Sequence, residues 1–270
     1  GGWSEWERRE VARSLPGALL HVEERLSRRL GRPFLTVLAA DGAELRDLVR
    51  ALGGHLEPGA QVLGVAMPGK DVLILRGGLL PGTLSYQITL HHEISHLVLH
   101  GRRPGRIPRW LDEGLSQWIS GIQLDPAQEA HLALLARLGN LYSFESLEYA
   151  FPAIEDLTSI AYQQSLLMVE YARSRWGAEA IPRLLSLVEA GQDGRDALAA
   201  LAGTPAATLE ADFTRWVAAR KSWVAIISYL LNFWTLTALL ALVAILCQVL
   251  RRRRRLAAME PTEEEGPAPE

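Results

Sequence analysis

Cys247 is the only cysteine in 270 residues, so no internal disulfide can form. Lysine is nearly missing too. Only Lys70 and Lys221 stand among 28 basic residues, and 31 acidic ones leave a formal net charge of −3. With no basic surplus, no nucleic-acid partner is expected. No internal repeat runs through the chain. Charge is absent altogether from Val224 to Leu250, which at about 1.5 Å per residue extends roughly 40 Å, enough to cross a hydrocarbon core of about 30 Å.

That uncharged run predicts a transmembrane helix and a lipid-bilayer partner. Arg251 to Arg255 follow it directly, whereas only Arg220 and Lys221 immediately precede it, which predicts a cytoplasmic C-terminus. Trp223, Tyr229 and Trp234 cluster at the opposite interface. Residues 1–221 are then an extracytoplasmic domain, residues 222–250 the span, and residues 251–270 a basic stop-transfer run with a disordered cytoplasmic tail. The tail from Leu256, rich in Glu, Pro and Ala, cannot build a core. Export requires a leader, and Gly1-Gly2-Trp3 has no signal-peptide character, so a leader removed or omitted ahead of Gly1 is expected.

What is there is chemical. His92-Glu93-Ile94-Ser95-His96 is an H-E-x-x-H sequence, and on a helix the residues at i and i+4 share a face, so His92 and His96 can present two imidazoles to one ion. Glu93 lies beside the open coordination position as general base. The third ligand must come from elsewhere. His100 sits roughly 12 Å along the helix axis from His92 at about 1.5 Å per residue and is a poor candidate. Gly101 reads as the helix stop, Arg102 to Pro108 as a chain reversal, and Trp110-Leu111-Asp112-Glu113-Gly114-Leu115 as the start of a second helix. Glu113 is assigned as the third ligand of a Zn²⁺ site, and Gly114 as the residue that lets the two zinc helices approach. Trp110 and Trp118 read as packing residues fixing the second helix against the first. His91 reads as a surface or supporting group, His21, His55 and His131 as isolated side chains, and Cys247 as a small hydrophobe.

The segment His91 to Ser120 resembles the gluzincins, and more narrowly the bacterial peptidase MA-like metalloproteases, whose second zinc helix often reads like Arg109 to Ser116. The resemblance continues more weakly through Ala161-Tyr162-Gln163-Gln164-Ser165, Tyr171 to Gly177 and Leu209 to Trp223. It implies that Tyr162, matching an Ala-Tyr-x-x-Ser segment, stabilises the oxyanion. The helix-core alternative for this tyrosine, with its hydroxyl reaching the surface, stays open. Two departures are visible. The spacing from His96 to Glu113 is shorter than in thermolysin-like enzymes, and Gln117 stands where some of them place an aspartate that orients a zinc histidine, which leaves the partner of His92 unassigned. A metzincin is excluded because Arg102 stands where its third histidine would be.

Periodicity predicts helices over Trp6–Leu30 and Ala43–Leu52, strands over Pro33–Ala39, Gln61–Met67 and Asp71–Arg76, and a hairpin at Pro68-Gly69-Lys70. Helices follow over Pro126–Leu138, Ile160–Trp176, Ala178–Ala190, Arg195–Leu201 and Pro205–Ala219. The expected fold class is α+β: a mostly helical, two-lobed zincin-like metalloprotease domain with a small N-terminal sheet, plus one C-terminal transmembrane helix. A strand within Gln61 to Arg76 is the expected substrate-binding edge. The function expected is a membrane-anchored zinc metallopeptidase acting on protein or peptide substrates. A catalytically silent binding module and a non-peptidase zinc hydrolase on the same scaffold are the rivals.

Overall fold

The computed structural model describes residues 2–56, 62–101, 107–223, 227 and 233–257. Most of the expected reversal at Arg102 to Pro108, the first residue of the strand from Gln61, much of the expected span before Phe233, and nearly all of the tail from Leu256 lie outside the described residues. The chain divides into two compact units, residues 1–220 and 221–270.

The first unit opens with α1 (Glu5–Leu26), started by a capping box in which Ser4 Oγ accepts from the Glu7 amide and the Glu7 carboxylate accepts from the Ser4 amide. It ends four residues earlier than the periodicity suggests, because Ser27 turns left-handed at its cap while Leu30 still buries its side chain beyond it. β1 (Leu35–Ala39), α2 (Gly42–Ala51), β2 (Gly64–Met67) and β3 (Val72–Arg76) form the small sheet and the helix on it. The strand order is β1-β3-β2, with β1 parallel and β2 antiparallel to the central β3. The hairpin at Pro68-Gly69-Lys70 closes as a single 3₁₀ turn, with Asp71 left-handed.

Side chains alternate across β3 as the pleat requires. Leu73 and Leu75 join the main core with α1 and α3 (Leu84–His100), whereas Val72 and Ile74 join Leu45 and Val49 of α2 in a smaller cluster. The sheet is thus covered on both faces. β2 is left as an edge, and it lies against α3.

α4 (Arg109–Ser120) runs between α3 and α6 (Glu155–Trp176), buried on nearly every side. α5 (Pro126–Leu138), α7 (Ala180–Glu189), α8 (Gly194–Ala202) and α9 (Ala206–Ala219) complete a mostly helical half, as the expected fold class has it. α6 begins five residues before Ile160. Its first turn, Glu155 to Ser159, is almost entirely exposed and carries no apolar period to read. Arg220 closes the unit by pairing with Glu129 of α5 at 2.8 Å and Glu170 of α6 at 3.1 Å.

Two glycine readings change. Gly101 caps α3 in a right-handed conformation rather than as a left-handed stop, and its small size serves packing, since a Cβ would sit 3.0 Å from Leu30 Cδ1. Gly114 brings α4 against α6, not against α3: a Cβ there would overlap the Ser165 carbonyl. Gly114→Ala is therefore expected to destabilise the domain by about 1–3 kcal/mol, the range for overpacking. At roughly 2–4 °C per kcal/mol for a domain of this size, the thermal midpoint falls by several degrees. An unchanged melting curve would show that α6 yields freely.

In the second unit, α10 (Phe233–Ala257) contains Thr235–Arg254, 20 residues within which an 18-residue stretch has a mean hydropathy of 1.6, long and apolar enough to cross a membrane by length and composition. Leu239, Leu242 and Ile245 are among its exposed apolar side chains.

Candidate metal centre

On α3 the apolar positions Tyr86, Leu90, Ile94 and Leu97 face the core, so the intervening His92, Glu93 and His96 fall together on the face turned toward β2 and α4. α4, wedged behind them by the Gly114 contact, delivers Glu113 to the same point. Glu113 Oε2 lies 3.5 Å from His92 Nε2 and 3.8 Å from His96 Nε2. The two imidazoles stand edge to face, 79° apart with centroids at 4.9 Å. Donors held about 2.0–2.1 Å from a tetrahedral zinc lie roughly 3.4 Å apart, so the two sides that meet at Glu113 Oε2 are close to the size the ion needs, and all three ligand atoms lie within 4.8 Å of one another. Glu113 Oε2 is also buried with no hydrogen-bond partner among the described residues, an expensive condition for a carboxylate oxygen unless a cation faces it. These three residues therefore form a group that could hold a metal ion.

The carboxylates around the triangle are fixed by different partners. Glu93 Oε2 accepts the Ala66 amide of the edge strand β2 at 2.7 Å, and Gly64 leaves room for the side chain, since a Cβ there would lie 3.0 Å from Glu93 Cγ. Glu113 Oε1 pairs with Arg109 at 2.9 Å. Burial opposes ionisation of Glu113, but His92, His96 and Arg109 outweigh it and hold the group below the usual carboxylate range.

Asp112 was unassigned in the sequence beyond its place at a helix start, and it has a defined partner set. Its Oδ1 is 2.8 Å from His96 Nδ1 and its Oδ2 is 3.0 Å from His100 Nε2, one oxygen to each ring. These are hydrogen-bond distances, so His96, Asp112 and His100 read as a clamp that aims the other nitrogen of His96 at the triangle. Burial disfavours an imidazolium at His96, but the charge and hydrogen bond of Asp112 prevail and push it up to about 10. Asp112 is correspondingly held well below the carboxylate range: burial works against its charge, and His96 and His100 overcome that. A metal would have to displace the His96 proton, so its binding weakens as pH falls. The sequence signal for this clamp was the His92, His96, His100 ladder with an aspartate preceding Glu113. Taking each helix alone hid it.

Gln117 does not stand in for a histidine-orienting aspartate. Its amide donates to the Glu113 carbonyl at 3.1 Å and the Tyr162 carbonyl at 2.9 Å, tying α4 to α6. Tyr162 lies on α6, half-buried, ring edge on Phe151 at 5.1 Å, its hydroxyl oxygen accepting from Arg109 at 3.4 Å. Burial and then the Glu113 charge raise its pKa, with Arg109 working the other way, so the hydroxyl keeps its proton at neutral pH. Arg109 and Tyr162 are among the residues lining a groove of about 980 Å³ whose walls include Leu124, Phe151 and Pro152.

The family model of the Peptidase MA superfamily matches residues 54–219, more than half of the chain. The chain belongs to the peptidase MA superfamily. Comparison with curated proteins found no match, and comparison with solved structures found none. The superfamily is generally zinc-dependent, and the peptidase MA domain here contains α3, α4 and α6 with all the residues of the triangle and its supports.

One further histidine differs from expectation. His21 is not isolated: it stacks on His91 at 4.4 Å, and its Nε2 lies 3.2 Å from the Ile119 carbonyl. Burial, then His21, lowers the His91 pKa to about 4. Trp110 is fully buried in the main core with the apolar face of α3 and donates to Glu148 at 3.3 Å, and Trp118, packed against the same core, also lies under Arg25 of α1 and Arg173 of α6.

Proposed function

We propose that this chain is a membrane-anchored zinc metallopeptidase in which His92, His96 and Glu113 hold Zn²⁺, Glu93 is the general base and Tyr162 stabilises the oxyanion. The observation that carries the reading is the bare, buried Glu113 Oε2 facing two imidazole Nε2 atoms. Zn²⁺ held by His92, His96 and Glu113 would supply a Lewis acid for the scissile carbonyl and would lower the pKa of a bound water to roughly 7.

The residues then divide the work. Water adds to the carbonyl carbon while Glu93 takes its proton and passes it to the departing amine nitrogen, so one water is consumed per bond cleaved. The Ala66 amide keeps the Glu93 carboxylate from rotating away. Tyr162 accepts from Arg109 and retains its own hydrogen to donate to the developing oxyanion. Among the described residues β2 pairs only with β3, so apart from the Ala66 amide held by Glu93 its outer edge can take an extended peptide as an additional strand, which favours peptides over compact small-molecule substrates. The Gln61 to Arg76 edge expected from the sequence narrows to Gly64–Met67, because β3 is central.

In this reading α10 anchors the domain in a bilayer, residues 222–250 being the span and 251–270 the cytoplasmic run and tail. The arginines from Arg251 support an extracytoplasmic peptidase domain, residues 1–221, at the cell membrane. The test uses the full chain in mild detergent with a peptide library. Cleavage at catalytic enzyme concentration, abolished by a chelator and restored by zinc, is the expected result. Tight zinc binding with no turnover of any peptide would move the assignment to a binding module.

A further inference from the structure

We propose that Arg109 is a positioning residue that holds Glu113 to a single free oxygen, and this rests on the zinc reading above. The two oxygens of Glu113 have unlike surroundings: Oε1 is occupied by an Arg109 nitrogen at 2.9 Å, and Oε2 is bare toward His92 and His96. An unrestrained carboxylate can turn both oxygens to an ion and fill the position that a reacting water needs. A carboxylate already accepting an N–H at one oxygen presents only the other.

Arg109 is itself restrained for this task. It opens α4 one turn before Glu113, its backbone amide bonded to the Glu148 carbonyl at 2.8 Å. Its guanidinium lies over the Phe151 ring at 5.5 Å, and the nitrogen bound to Glu113 also reaches the Tyr162 hydroxyl at 3.4 Å. One side chain therefore sets both the presentation of Glu113 and the place of Tyr162. A plain surface ion pair predicts otherwise, because an exposed i,i+4 pair contributes little to anything. Here the acidic partner is 5% exposed and the arginine 43%.

The guanidinium charge also opposes a cation nearby, which gives the proposal a distinctive sign. Arg109→Met in the full chain is expected to bind zinc at least as tightly as wild type, because a repulsion is removed and a second carboxylate oxygen is freed. The Co²⁺-loaded form should lose visible absorption intensity as the coordination number rises. Turnover of any peptide cleaved by the wild type should fall about 10–100-fold, the scale for groups that orient a ligand, mostly in kcat. Arg109→Lys, which keeps a cationic donor but not the planar fork, should recover part of both signals. An unchanged cobalt spectrum in Arg109→Met overturns the proposal, as does loss of zinc in parallel with activity, which would make Arg109 merely structural. Wild-type protein that binds neither zinc nor cobalt overturns instead the metal reading beneath it.

Discussion

Glu93→Gln is expected to leave zinc binding unchanged and to reduce peptide hydrolysis about 10²–10⁴-fold, the usual contribution of a positioned general base. The substitution is well suited to the local structure. The Ala66 amide donates to Glu93 Oε2 at 2.7 Å, and a glutamine carbonyl oxygen accepts that bond equally well, so the contact between β2 and α3 persists. The isosteric side chain also respects the tight space beside Gly64, where Glu93 Cγ has little room to move. Only the capacity to take a proton is removed. Metal stoichiometry by mass spectrometry and initial rates on a cleaved peptide, measured on the same preparation, separate the two effects. A variant hydrolysing at the wild-type rate would end the general-base assignment, whatever its zinc content.

Glu113→Ala is expected to have the largest effect on the metal itself. Outer partners of a metal ligand are worth about 10–100-fold in affinity, and a direct ligand should exceed that, on the order of a thousandfold. Two consequences follow from the surroundings of Glu113. Its removal leaves Arg109 without its carboxylate beside two imidazoles, and it takes away the bare oxygen that faces both Nε2 atoms. Asp112→Asn provides the graded comparison. It keeps the shape between His96 and His100 but weakens the pull on His96 Nδ1, so a smaller loss is expected, about 10–100-fold. Competition with a chromophoric chelator measures all three proteins on one scale. Equal zinc affinity in wild type and Glu113→Ala would remove Glu113 from the centre and return the search for a third ligand to the rest of the cluster.

The parts of the site readable in the sequence are those that one helix and one spacing fix. His92, Glu93 and His96 share a face by helical arithmetic alone, and Glu113 stood out because a Glu-Gly on a second helix followed a reversal. Arg109, Asp112 and His100 were in view as letters but had no roles. Their meaning depends on which side of α4 meets α3, and that is set by Gly114 closing on Ser165 of α6, a contact far away in sequence. Gln117 shows the same limit from the other direction: its position suggested a partner for a histidine, and the packing gave it to the Tyr162 carbonyl instead. Strand pairing behaved likewise. Two β-prone runs around Pro68-Gly69-Lys70 were legible, but that β3 is central and β2 the edge required β1 to insert parallel on the far side of β3.

The sequence by itself determined the mostly helical α+β class, the H-E-x-x-H helix and the apolar C-terminal segment, because periodicity, i,i+4 spacing and the absence of charge are local properties of a chain. The tertiary structure alone decided which oxygen of Glu113 stays free, who holds His96, and that Ala66 holds Glu93. Those depend on hydrogen bonds between elements whose relative angles come from close packing, and a shift of a single ångström there reassigns every partner.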